Sequence, residues 1–174
     1  EWSYLEGKGL NSMIENFENI ENINFELRKF EGLDFIGYGP CSSPEFPQYE
    51  DDIPDSSEEL EEMEEDFESL KKEFRNLFKK SNNPIILLTH NVPQDTRLDQ
   101  IKNEDSPVDG RHYGSLVVRS MIEEFSPYYN IAGHIHEGEG KTTLGSTVCI
   151  NTGLHNSLII DTEDDEIEFF SPEL

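Results

Sequence analysis

Residues 85–88, Ile-Ile-Leu-Leu, constrain this chain more than any other stretch. Four consecutive apolar residues stand between a breaker, Asn82-Asn83-Pro84, and a polar exit, Thr89-His90-Asn91. The run is too short for a helix of its own. It also lacks the polar alternation of a strand with one wet face, so it reads as a strand covered on both sides. Covering both sides takes at least two further layers, which fits an α/β architecture.

The elements around it agree. Residues 25–30 and 33–38 are rich in β formers and flank Glu31-Gly32, a hairpin signature. Residues 39–55 contain four prolines among Ser, Asp and Gln, and form a loop by composition. Ser56 and Glu59 have capping-box spacing, and Leu60, Met63, Phe67, Leu70, Phe74 and Leu77 then follow at steps of three and four. The acidic residues of that predicted helix lie toward its start and Lys71, Lys72, Lys79 and Lys80 toward its end, in accord with the helix dipole. A polar loop runs to Gly110. A second helix presents Val118, Met121, Ile122 and Phe125 inward and stops at Pro127. Residues 129–132 predict the next strand, and the remainder predicts a β meander over 143–144, 147–151, 158–161 and 167–170. The first 24 residues read as a helix remnant and a connection.

Charge narrows the partners. The 174 residues carry 38 acids against 13 bases, a formal net charge of -25. Such a surface repels nucleic acid and anionic lipid, whose phosphates are bound by clustered Lys and Arg. No run approaches the ~20 apolar residues of a membrane span. Cys41 and Cys149 form no close-spaced pair and read as reduced thiols of a cytoplasmic protein.

The chemistry concentrates at two strand ends, Thr89-His90 and Gly133-His134-Ile135-His136. In α/β folds ligands gather at the carboxyl ends of strands. If the backbone stays extended, His134 and His136 face the same side, and Gly133 would let the chain turn close to a bound ion. Neutral imidazole ligates Zn, Fe, Mn or Ni. His112, before Gly114-Ser115, is expected at a helix start, in a capping role or touching a substrate phosphate. Asn91 is a second candidate for substrate contact. Asp95, Asp99 and Asp109 read as loop acids, able to approach a metal but more commonly solvated, Glu137 as a surface residue or a neighbour of the metal ligands, and His155 as a surface residue.

Order and spacing add a family. Residues 85–93, IILLTHNVP, resemble the fourth motif of calcineurin-like metallophosphoesterases. Leu98-Asp99 and His112-Tyr113-Gly114-Ser115 look like the stretch that follows in small archaeal-type phosphoesterases. Gly133-His134-Ile135-His136-Glu137 is similar to the family's Gly-His-x-His motif. Residues 144–153 resemble its closing strand, with Thr152 where proline is usual. The likeness is clear over 85–153 and fainter from Phe25.

The resemblance implies a layered αββα sandwich, of which residues 1–174 would be the C-terminal portion of a single domain. It implies hydrolysis of a small phosphate ester at a dinuclear centre of Mn, Zn, Fe or Ni, where metal-activated water attacks phosphorus as hydroxide. His90 and His134 would bind one ion and His136 the other. The family's Asp-x-His, Gly-Asp-x-x-Asp and Gly-Asn-His motifs do not occur in the sequence. The bridging carboxylate and general acid are therefore expected upstream of Glu1, whose presence in place of Met suggests a fragment. By itself the chain is expected to be inactive. The rival expectation is a scaffold: the fold also serves, with a degenerate metal site, in a retromer subunit.

Overall fold

The computed structural model describes residue 14 and residues 17–39, 45–162, 164 and 166–170. Cys41 and most of the predicted helix remnant lie outside these residues. Strands β1 (Leu27–Phe30) and β2 (Leu33–Tyr38) form the expected hairpin, pairing Phe30 with Leu33 and Leu27 with Ile36. Glu31 and Gly32 take φ of 47° and 83°, the two left-handed residues of a tight turn that matches strand twist. Helix α1 (Ser57–Phe78) follows, with Ser56 Oγ accepting the Glu59 N–H at 3.4 Å. Next come β3 (Ile85–Thr89), helix α2 (Leu116–Phe125) and β4 (Tyr129–Ala132). The last strands are β5 (Gly140–Leu144), β6 (Thr147–Asn151), β7 (Ser157–Asp161) and β8 (Glu166–Phe170).

Among the described residues the main sheet has six strands in the order β1-β2-β3-β4-β6-β5. Strands β2, β3, β4 and β6 run parallel, and β1 and β5 are antiparallel edges. One face, with Ile36, Tyr38, Leu87 and Cys149, packs under Phe74 and Phe78 of α1 and Val117, Val118, Met121 and Ile122 of α2. Phe25, Tyr38, Phe74, Phe78 and Phe125 form a continuous aromatic chain, with successive ring centroids 4.7–5.5 Å apart. The other face, with Ile86, Tyr129 and Ile150, packs against Leu158, Ile160, Ile167 and Phe169 of the separate β7–β8 sheet. The protein is thus α/β, with a mostly parallel sheet between helices and a hairpin.

The expected meander is corrected here. Strand β6 is not a link in a chain of hairpins but lies parallel beside β4 inside the main sheet, with β5 folded outside it. The composition of β6 explains why. Thr147, Cys149, Ile150 and Asn151 are all buried, whereas β7 and β8 alternate exposed and half-buried residues.

At the opposite pole from the strand ends, Asp34 anchors β2 to the turn before β3. Its carboxylate is fully buried and accepts from Ser81 Oγ at 2.7 Å, Asn83 Nδ2 at 2.8 Å and the Asn82 N–H at 3.2 Å. Burial favours the protonated acid, but these bonds and the Lys29 charge outweigh it and hold the pKa at about 2. A carboxylate depressed in the fold stabilises the protein above its unfolded pKa and loses that contribution as pH falls toward the folded value. Asp34→Asn is expected to cost about 2 kcal/mol at neutral pH, by loss of bonds to a charged group. Urea melts should show that difference shrinking between the ordinary value of 3.8 and about 2, and a pH-independent difference would contradict it.

Candidate metal-binding site at the strand ends

Strands β3 and β4 are neighbours and run the same way, so their carboxyl ends open at one edge. His90 follows β3, its N–H donating to Tyr38 O at 3.0 Å, and its carbonyl accepts the Gly133 N–H at 3.1 Å. That second bond ties the two histidine-bearing turns together. His90 Nε2 and His134 Nδ1 stand 3.0 Å apart, with ring centroids at 4.7 Å and planes inclined by 51°.

Two nitrogens bound to one zinc ion at ~2.1 Å are about 3.4 Å apart at the tetrahedral angle and about 3.0 Å apart at a right angle. The observed spacing is therefore that of neighbouring ligands on one ion, as well as that of a ring-to-ring hydrogen bond. The His134 pKa is lowered, first by burial and then by the charges of His90 and His136. The lowered value favours the neutral ring, the form that ligates.

The backbone does not stay extended. His134 itself takes φ of 69°, in the left-handed region, and residues 136–138 form a 3-10 turn. The turn expected of Gly133 is thus made by the next residue. Gly133 has ordinary room for a side chain, its nearest neighbour being Thr152 Oγ1 at 3.7 Å from a built Cβ. His136 is exposed, and its charge acts on His134. Among the described residues no group of three or more His, Cys, Asp and Glu is arranged to hold a metal ion. The donor set fits an ion at two coordination positions and leaves the others to be filled.

The remaining candidates lie in the loop between β3 and α2. Asn91 is buried. Its Nδ2 donates to Tyr113 O at 3.0 Å and its Oδ1 accepts the Val92 N–H at 2.8 Å, so both ends of the amide fix the loop. His112 is not the helix cap. Helix α2 starts four residues later, capped by Ser115, whose Oγ accepts the Val118 N–H at 3.0 Å. Glu45 adds a carboxylate at that N-terminus, accepting the Leu116 N–H at 3.1 Å and the Ser115 hydroxyl. The His112 ring instead bonds Asp99 Oδ1 through Nδ1 at 2.7 Å.

Asp99 overturns its expected solvation. It is fully buried and accepts the N–H groups of Asp95 at 3.0 Å, Thr96 at 2.8 Å and Gly114 at 2.9 Å. Glu137 and His155 are exposed as expected.

Three further residues shape the site. Asn151 Nδ2 donates to Ile135 O at 2.7 Å and Leu98 O at 3.3 Å, stitching the second histidine turn to the loop. Gly138 lets those segments touch, because a Cβ there would lie 1.9 Å from Leu98 O. Asn130 is buried within β4 and supports the end of β3, donating to Thr89 Oγ1 at 3.0 Å and Leu87 O at 3.3 Å. Asn130 had a sequence signal, a lone amide inside an otherwise apolar strand. Cys149 is buried below, its thiol pushed up to about 12 by burial. Among the described residues no helix is long and apolar enough to cross a membrane.

No protein-family profile matches the chain. Over 149 residues it is 26% identical to the uncharacterized protein MJ1162 of Methanocaldococcus jannaschii, covering 82% of this chain and 58% of that protein. A solved crystal structure superposes with a TM-score of 0.63 at 19% identity, over 91% of this chain and 56% of that one. The second likeness is one of fold. The chain spans little more than half the length of both proteins.

Proposed function

We propose that this chain is the histidine-bearing part of a metal-dependent phosphoric ester hydrolase. The observation that carries the reading is the 3.0 Å approach of His90 Nε2 to His134 Nδ1 at the carboxyl ends of adjacent parallel strands. On this reading the layers are an incomplete αββα sandwich of the metallophosphoesterase type, with β7–β8 belonging to its second sheet. On it His90 and His134 would hold one divalent ion, and His136 would serve the other. Mn, Zn, Fe or Ni in such a centre holds the phosphate and makes a water more acidic. It also offsets the charge of -25, which would otherwise repel a phosphate anion. The residues of this chain supply imidazole ligands and hold the two turns together by a backbone bond. The bridging carboxylate and a general acid are contributed by sequence upstream of Glu1.

A second reading, a scaffold of the same fold, is favoured by the lack of a three-donor group among the described residues. Metal analysis and turnover of an aryl phosphate, on the polypeptide that includes the upstream sequence, separate the two. The enzyme reading expects two tightly held ions per chain and hydrolysis that disappears on chelation. Protein that stays free of metal and inactive when metal is supplied leaves the scaffold.

A further inference from the structure

The structure points to a second proton donor within this chain: we infer that Asp99 positions His112 to deliver its Nε2 proton to the oxygen leaving phosphorus. The inference rests on the hydrolase reading and places a donor for the leaving oxygen within this chain, acting beside the upstream acid.

Three observations carry it. Asp99 is immobilised, fully buried with three backbone N–H bonds and a long one from the Thr96 hydroxyl, and its Oδ1 meets His112 Nδ1 at 2.7 Å. A carboxylate at that distance accepts the Nδ1–H bond and leaves Nε2 to carry the transferable proton of the doubly protonated ring. Nε2 is then the nitrogen turned to other work; among the described residues it has no hydrogen bond, and the ring is 27% exposed.

Sequence neighbours of the pair are also tied to both histidine turns. Asn91, next to His90, bonds Tyr113 O, and the Ser115 N–H donates to Val92 O at 2.8 Å. On the other side Asn151 bridges Leu98 O to Ile135 O, and Gly138 presses on Leu98 O. The other charged and titratable neighbours are engaged elsewhere. Arg111 is held by Asp51 and the Tyr113 hydroxyl, while the Tyr49 hydroxyl accepts the His112 backbone N–H at 2.7 Å.

In the step, water oxygen forms a bond to phosphorus as the bond to the ester oxygen breaks with its electron pair. That oxygen takes the Nε2 proton and leaves as an alcohol. The proton lost by the water returns to Nε2 through solvent, so the products are an alcohol and phosphate.

Ring nitrogen spectra of the 174-residue chain, with 15N-labelled histidine, test the pair without turnover. Zinc is expected to move the His90 and His134 rings while His112 keeps its proton on Nδ1. Phenylphosphonate added next is expected to shift His112 Nε2, and Asp99→Asn to abolish both the fixed tautomer and that shift. If zinc moves His90 and His134 but phosphonate leaves His112 unchanged, the inference fails and the metal reading stands. If zinc moves none of them, both fail.

In the longer polypeptide, His112→Gln should slow phenyl phosphate hydrolysis by about 100-fold or more, but 4-nitrophenyl phosphate by under about tenfold. The better leaving group needs little proton transfer. Equal losses on both substrates would reduce the pair to a loop fastener.

Discussion

Gly138→Ala is expected to cost the chain about 2–3 kcal/mol of stability, near the upper end of overpacking penalties. The added Cβ would lie 1.9 Å from Leu98 O and 2.7 Å from Leu98 C. The obstacle is backbone, which cannot rotate aside as a side-chain tip does. Asn151 holds both segments, through Leu98 O and Ile135 O, so relief has to displace either the Asp99 loop or the turn that begins at His136. Urea melts check the figure. Gly110→Ala is the control, because Gly110 has φ of 80° and nothing within 4 Å of a built Cβ. Its cost is conformational alone, about 1 kcal/mol. Equal costs at the two positions would contradict the close approach of the turn to the loop.

His134→Ala is expected to weaken zinc binding by about 100-fold or more, or about 2.7 kcal/mol of binding free energy. Losing Nδ1 leaves His90 as a single exposed imidazole. The folded state should change by no more than about 1 kcal/mol, since one partly exposed hydrogen bond is lost. Alanine also meets only a modest penalty at the φ of 69° there. Calorimetric titration of zinc into the wild type and the variant checks this, with His155→Ala as the exposed control expected to bind unchanged. A variant that binds zinc as tightly as the wild type would show that the ring pair is not the ion's seat.

What the sequence revealed was mostly local. Glu31-Gly32 announced the first hairpin, the three- and four-residue steps from Leu60 to Leu77 announced α1, and the unbroken Ile85 to Leu88 run announced a strand buried on both faces. Each signal comes from residues close along the chain, where backbone preference and periodicity act. The parallel insertion of β6 beside β4 was hidden, because it depends on which buried strands seek each other across the fold. The same holds for Asp99. In sequence it is one acid among several in a polar loop; in the fold, residues 95, 96, 112 and 114 all converge their bonds on it.

The candidate site divides along the same line. The three histidines were visible as strand-end residues, and two of them do converge. The left-handed turn at His134, which redirects His136, was not foreseeable. The spacing of two residues would have placed both rings on one side only had the strand continued.

Crystals of the chain grown with zinc would test the shared-ligand geometry most directly, through the anomalous signal of the ion. The expected result is a single strong peak about 2.1 Å from both His90 Nε2 and His134 Nδ1. Zinc bound elsewhere, or rings that remain hydrogen-bonded to each other at saturating zinc with no ion between them, would contradict it.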